Sequence, residues 1–280
     1  MGAERHARLN RLLHDLPEGF VADTQWLKGL GLADSSIHGY VRQGWLEHLA
    51  PGLYRRGDPT LKDQGPVRWE ICLLSLQNIM KRPIHVGGQT ALELAGYWQY
   101  AMLGKRRVWL YTDDRRARST LARVPLDAVP KLRSRRLFED PALGLETRVL
   151  DLVTSTLGAA SKPTAAKSPA WKQQLIVSGL ERAILEVLSE IPGEVGFDHG
   201  AELFEGLTTL RPAVMKELLL SCTSIKTKRL FFYFAGQHRA LRKRLRPADF
   251  DLGSGKRQIV PGGQFDAEFQ ITVPRSRRRK

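Results

Sequence analysis

Hydrophobic positions along the chain recur every three or four residues in short blocks, separated by glycine, proline and polar breaks. Residues 4–14 place Leu9, Leu12 and Leu13 on one side of an amphipathic helix. Residues 22–29 read as a second, shorter helix with Asp23 available as its cap, stopped by Gly29, Leu30 and Gly31. A third opens at Asp34 or Ser35, side chains able to satisfy the free N–H groups of a first turn. Its apolar positions Ile37, Tyr40, Val41 and Trp45 predict a buried face, and Ser35, Ser36, His38, Arg42 and Gln43 are left facing out. Residues 46–49 and 53–56 then read as two strands around Ala50-Pro51-Gly52, and the second ends in Arg55 and Arg56. Residues 21–57 therefore predict a small winged helix-turn-helix. Its third helix suits a DNA major groove, where Arg, Gln and Ser find partners on base edges. The same order of elements also occurs in protein-interaction modules.

Beyond it the pattern stays mainly helical. Trp69, Cys72, Leu73, Leu76 and Met80 form a core stripe between Pro66 and Pro83. Ile84 to Gly88 leads through a tight Gly87-Gly88 turn into a short helix over 90–95; two adjacent glycines can also cradle a phosphate at a helix N-terminus. Residues 108–112 predict a buried strand and 143–157 a helix. Residues 158–170, small and polar with two prolines, read as a flexible linker. Ser178 and Glu181 have capping-box spacing ahead of Ala183, Ile184, Val187, Leu188 and Ile191. Two further core helices come next over 200–207 and 212–222, then a basic helix over 238–245. The aromatic run 229–234 fits helix and strand equally. Alternation over 265–273 predicts one half-buried strand, and residues 275–280 a disordered basic tail. The expected fold is α+β: a winged helix over 1–60, then a larger, mainly helical domain with short strands over 61–275, in two lobes joined by the linker.

Charge changes this picture. The chain's 44 Lys/Arg and 29 Asp/Glu leave a net of +15, which favours a polyanionic partner. Residues 1–60, however, hold seven of each sign. Phosphate binding there depends on local placement of Arg42, Arg55 and Arg56, or on the remainder of the chain. One candidate polyanion patch is Arg115, Arg116, Arg118, Arg133, Arg135 and Arg136, within a 22-residue run whose only carboxylate is Asp127.

Candidate chemistry is sparse. Cys72 and Cys222 lie in apolar patterns and read as small core residues, which suits a reducing cytoplasm. No secretory or membrane-spanning run is evident, and His6 stands where a myristoylation signal needs Ser or Thr. Gly255-Lys256 fails the phosphate-loop pattern at Phe250 and Arg257. No metal-ligand spacing or catalytic elbow appears, and no cofactor is expected. Asp266 and Glu268 on an alternating strand after Gly253-Ser254 resemble a two-metal nucleotidyltransferase site. That architecture needs an intervening helix, which Gly255, Pro261, Gly262 and Gly263 oppose.

Several segments, in this order, resemble AbiEi-type antitoxins. They are Arg42-Gln43-Gly44-Trp45-Leu46 running into Gly52-Leu53-Tyr54-Arg55, Gly87-Gly88-Gln89-Thr90-Ala91-Leu92, and Glu181-Arg182-Ala183-Ile184-Leu185-Glu186. Ser224-Ile225-Lys226-Thr227-Lys228-Arg229-Leu230-Phe231 and the closing Gly253-Ser254-Gly255-Lys256-Arg257 with Pro261-Gly262-Gly263 complete the likeness. The resemblance implies a type IV toxin–antitoxin system. Its antitoxin represses the shared promoter by binding inverted repeats of double-stranded DNA and counters a nucleotidyltransferase-fold toxin. Carried over, Ser35, Ser36, His38, Arg42 and Gln43 would read the groove, and Arg55 and Arg56 would hold phosphate. The competing expectation is a stand-alone regulator whose C-terminal part senses a ligand or supports DNA contact.

Overall fold

The computed structural model describes residues 2–57, 64–97, 104–150, 174–236 and 239–275. It opens with α1 (Gly2–Asp15), β1 (Val21–Asp23), α2 (Thr24–Gly29), α3 (Asp34–Arg42), β2 (Leu46–Ala50) and β3 (Leu53–Arg56). Asp23 caps α2, accepting from the Trp26 amide at 2.8 Å. α2 then stops because Gly31 turns left-handed, with φ +82°. Its N–H reaches the Lys28 carbonyl and the Leu32 N–H reaches that of Leu27, the paired bonds of a Schellman turn. α3 starts differently from expectation: Ala33 takes the cap position and no side chain closes the first turn. β3 lies between β1 and β2 in an antiparallel sheet. Three residues are too few for alternation to reveal β1, which the sequence pattern merges into the following helix.

Next come α4 (Trp69–Leu74), a π-helical turn over Ser75–Ile79, β4 (His85–Val86), α5 (Gly88–Leu94), β5 (Arg107–Tyr111), α6 (Arg115–Arg123) and β6 (Val129–Arg133). After them come β7 (Leu145–Val149), β8 (Gln174–Ser178), α7 (Leu180–Ser189), α8 (Phe197–Gly206) and α9 (Pro212–Ser221). The chain ends with α10 (Ile225–Ala235), α11 (Arg239–Arg244), β9 (Gln264–Asp266) and β10 (Ile271–Val273). The architecture is mixed α and β. Residues 145–149 are a strand where the pattern predicts helix; the spacing of Leu143, Leu145 and Val149 does not separate the two periods. Residues 151–157 of that predicted helix, the linker over 158–170 and the tail from 276 fall outside the described residues. Among those described, no helix is long and apolar enough to cross a membrane.

The described residues form two compact units, one within 1–85, 102–133 and 147–176, the other within 86–101, 134–146 and 177–280. In the first, the winged helix is bonded to the segment that succeeds it in the chain. The Val21 amide donates to Ser75 Oγ at 2.9 Å, and Arg82 pairs with Asp23 at 3.2 Å. β5 and β6 run parallel, in register from Arg107 opposite Val129 to Tyr111 opposite Arg133, with α6 as their connection. The arginines hide this helix in the sequence, yet Ala117, Thr120 and Leu121 make a buried stripe on it. Cys72 lies in this core, and burial pushes its thiol up to about 12.

The second unit is built around α7, buried from Glu181 to Leu188 and packed by α5, α8, α9 and α10. Its polar residues are paired internally. Glu186 accepts from Arg182 Nε, from Ser178 Oγ and from the Gly88 amide, each at 2.8 Å. Two expectations change as a result. Ser178 ends β8 rather than capping α7, whose cap is Gly179. The Gly87-Gly88 turn receives the chain's own carboxylate, so the amide that opens α5 is already engaged. Burial drives the Glu181 carboxyl upward, but hydrogen bonds from Arg211 outweigh it and hold the group below its ordinary range.

The run 229–234 resolves as helix, part of α10. Residues 265–273 fold back as a hairpin, not one strand. Asp266 Oδ1 accepts from the Phe269 amide at 2.8 Å, and Gln270 adopts φ +52° between β9 and β10. No helix forms over 256–263, so the nucleotidyltransferase arrangement lacks its intervening element.

Candidate nucleic-acid interface

α3 spans nine residues, about 13 Å at 1.5 Å per residue, comparable to the width of a major groove. Ile37 and Tyr40 are buried beneath it, with Val41 and Trp45 half-buried. Ser35, His38, Arg42 and Gln43 are exposed and Ser36 is half-exposed. Ser35, His38 and Arg42 follow i, i+3, i+7 spacing, which puts them in one row along the helix. Among the described residues Arg42 has no ion-pair partner, so its guanidinium is available.

The wing arginines do not match their expected role. Arg55 is 3% exposed, and its Nε donates to Glu47 at 2.8 Å while Nη1 donates to the Gly65 carbonyl at 2.9 Å. Arg56 turns the other way and donates to the carbonyls of Leu13 and Leu16 at 2.7 and 2.8 Å. It thereby satisfies backbone at the C-terminal end of α1, where a cation is favoured. Burial draws its guanidinium below the ordinary value, partly offset by Glu18. Arg55 is held by its cross-strand neighbour Glu47 on β2 and by the segment after the wing, and Arg56 by the end of α1. Arg55→Ala is expected to lower unfolding stability by about 1–3 kcal/mol. It should leave the salt dependence of DNA binding unchanged, and urea melts together with salt titrations measure the two effects separately.

The linear basic run also divides on folding. Arg115 and Arg116 are exposed on α6. Arg118 donates to the Thr112 carbonyl, and Arg133 lies over the Trp109 ring at 4.7 Å. Arg135 donates to the Pro141 carbonyl in the second unit, where Arg136 is exposed. Of the six, four belong to the first unit and two to the second. What unites α6 with the winged helix is a pair of contacts no periodicity reveals. Arg116 hydrogen-bonds Gln25 of α2, and Arg123 Nη1 donates to the Pro51 carbonyl at the wing turn, 2.7 Å away. The basic helix is thus fastened beside both the turn-forming helix and the wing tip.

Among the described residues no group of three or more His, Cys, Asp or Glu is placed to hold a metal ion. Residues 5–103 match a family model described as transcriptional regulator, AbiEi antitoxin N-terminal domain. Residues 142–274 match one described as transcriptional regulator, AbiEi antitoxin, type IV TA system. Among solved structures, the RV2827C protein from Mycobacterium tuberculosis is similar at 17% identity and a TM-score of 0.49, over 96% of this chain and 90% of that one. No curated protein matches.

Proposed function

The chain belongs to the AbiEi antitoxin family of type IV toxin–antitoxin systems, described as transcriptional regulators, and from that premise we propose a division of labour. Residues 1–60 repress the chain's own promoter in the cytoplasm, laying α3 in the major groove of inverted repeats. Residues 61–275 counter a nucleotidyltransferase-fold toxin and add α6 to the DNA contact. The exposed polar row Ser35, His38 and Arg42 on α3 is the observation that supports this most. Ser36 and Gln43 flank the row and contribute to base reading. Phosphate contact passes from Arg55 and Arg56 to Arg115 and Arg116, two exposed cations in the first turn of α6. This answers the electroneutrality of the first sixty residues, because the missing positive charge is supplied by a helix bonded beside them.

Binding of the full chain to its own promoter fragment tests the proposal. Arg42→Ala should cost about 1–3 kcal/mol and relax the sequence preference if it makes a bidentate base contact. Arg116→Ala should weaken all sequences alike and reduce the salt slope by about one. Unchanged affinity and preference in both variants would overturn the assignment of this face. Co-expression with the neighbouring gene's product tests the second half: growth is restored by an antitoxin and not by a stand-alone regulator.

A further inference from the structure

The wing hairpin β2–β3 brings no cation of its own to its tip. Its two arginines, Arg55 and Arg56, donate to Glu47, to the Gly65 carbonyl and to the end of α1, and the tip itself is Ala50-Pro51-Gly52. A helix from outside the hairpin reaches that tip. Arg123, in the last turn of α6, is exposed; its Nε donates to the Ser119 carbonyl at 3.1 Å and its Nη1 to the Pro51 carbonyl at 2.7 Å. A guanidinium carries five N–H donors, so these two bonds leave others to spare. Among the described residues no carboxylate pairs with Arg123.

The same tip is tied to α2. The Gly52 carbonyl accepts from the Thr24 amide at 3.0 Å and from the Thr24 hydroxyl at 3.3 Å, where α2 begins. At the opposite end of α6, Arg116 hydrogen-bonds Gln25, also in the first turn of α2. Arg116 and Arg123 are seven positions apart, so they share one face of α6 at about 10 Å along its axis. In a helix-turn-helix the helix before the recognition helix crosses the DNA backbone. Here that helix is α2, and the wing turn bonded to its start is the one Arg123 touches. We propose that Arg123 is the wing's phosphate contact, supplied from α6 instead of from the hairpin; this rests on the reading of α3 as the groove helix. The Pro51 carbonyl fixes where the guanidinium stands, and its remaining donors make charge-assisted bonds to a backbone phosphate. The contact lies at the other end of α6 from Arg115 and Arg116.

Salt titration of the full chain on its own promoter fragment and on an unrelated duplex tests the proposal. Arg123→Ala should weaken both duplexes alike and reduce the salt slope by about one. Arg123→Lys keeps the charge and should hold the wild-type slope. Ethylating single phosphates of the promoter locates the contact: one interfering position should vanish from the Arg123→Ala map and remain in that of Arg123→Lys. An unchanged slope in Arg123→Ala would overturn the assignment. So would a slope lowered equally in both variants, which marks a structural tie between α6 and the wing rather than a charge on a phosphate. In either case a persisting loss of sequence preference in Arg42→Ala leaves the groove reading standing. A wild-type chain that does not bind the promoter fragment would overturn both.

Discussion

Arg182→Ala is expected to lower the free energy of unfolding by about 3–5 kcal/mol, the usual loss when one partner of a buried ion pair is removed. Arg182 and Glu186 are 1% and 0% exposed and meet at 2.8 Å, one turn apart on α7. The guanidinium also donates to the carbonyls of Pro141 and Leu143, at 3.1 and 2.6 Å, and lies over the Phe138 ring at 4.7 Å. Truncation removes the charged partner of the Glu186 carboxylate in the core and takes a donor from the Leu143 carbonyl, while the Pro141 carbonyl keeps Arg135. Arg182→Lys should recover little, because a point ammonium does not reproduce a planar fork serving a carboxylate and two carbonyls. Adding Glu186→Gln to Arg182→Ala should recover part of the loss, since the stranded charge is then absent. Urea denaturation measures all three. A loss below about 1 kcal/mol for Arg182→Ala would show that water replaces the arginine and that the network is not closed.

The second large effect is expected at Arg229. It is 2% exposed and donates to the carbonyls of Leu252, Gly253, Gly255 and Gln270 at 2.7, 3.1, 2.7 and 3.3 Å. Burial draws its guanidinium below the ordinary value, and Arg257 adds to that. Hydrogen bonds to a charged group contribute about 1.5–3 kcal/mol each, net of the exchange with water, and they are not additive. Arg229→Ala should therefore cost roughly 3 kcal/mol or more, concentrated in the closing segment. Hydrogen exchange gives the local reading: amides between 252 and 273 should lose protection more than those of α7. Uniform loss, or none, would mean that the segment is held by the apolar contacts of Ile271 and Val273 rather than by the arginine. Gly253 and Gly255, at φ +62° and +79°, let the chain bend around the guanidinium, which accounts for glycine at these two positions of the closing motif.

Both predictions concern segments on which the family likeness rests, and neither segment touches DNA in the proposed mechanism. Gly87-Gly88, Glu181 to Glu186 and the α10 motif are legible as sequence because they build the core of the second unit. A carboxylate that must close a helix start, and an arginine that must serve four carbonyls, tolerate few replacements. Local sequence also determines the winged helix in outline. Asp23 as cap, Gly31 as stop, the apolar spacing on α3 and the Pro51-Gly52 turn are interactions between residues within a few positions of one another.

Only the tertiary structure decided what each arginine does. Arg55 and Arg56 end a hairpin and read as free cations until Glu47 and the Gly65 carbonyl take the one and the carbonyls at the end of α1 take the other. Arg116 and Arg123 read as members of a surface run until Gln25 and Pro51, about 90 and 70 residues earlier in the chain, bring α6 beside the wing. Periodicity reports which side of an element faces apolar matter, because that depends on neighbours three or four positions away. It does not report which partner a long charged side chain reaches. That depends on distant strand pairings and on carbonyls left unpaired at helix ends and turns, which exist only once the chain has folded.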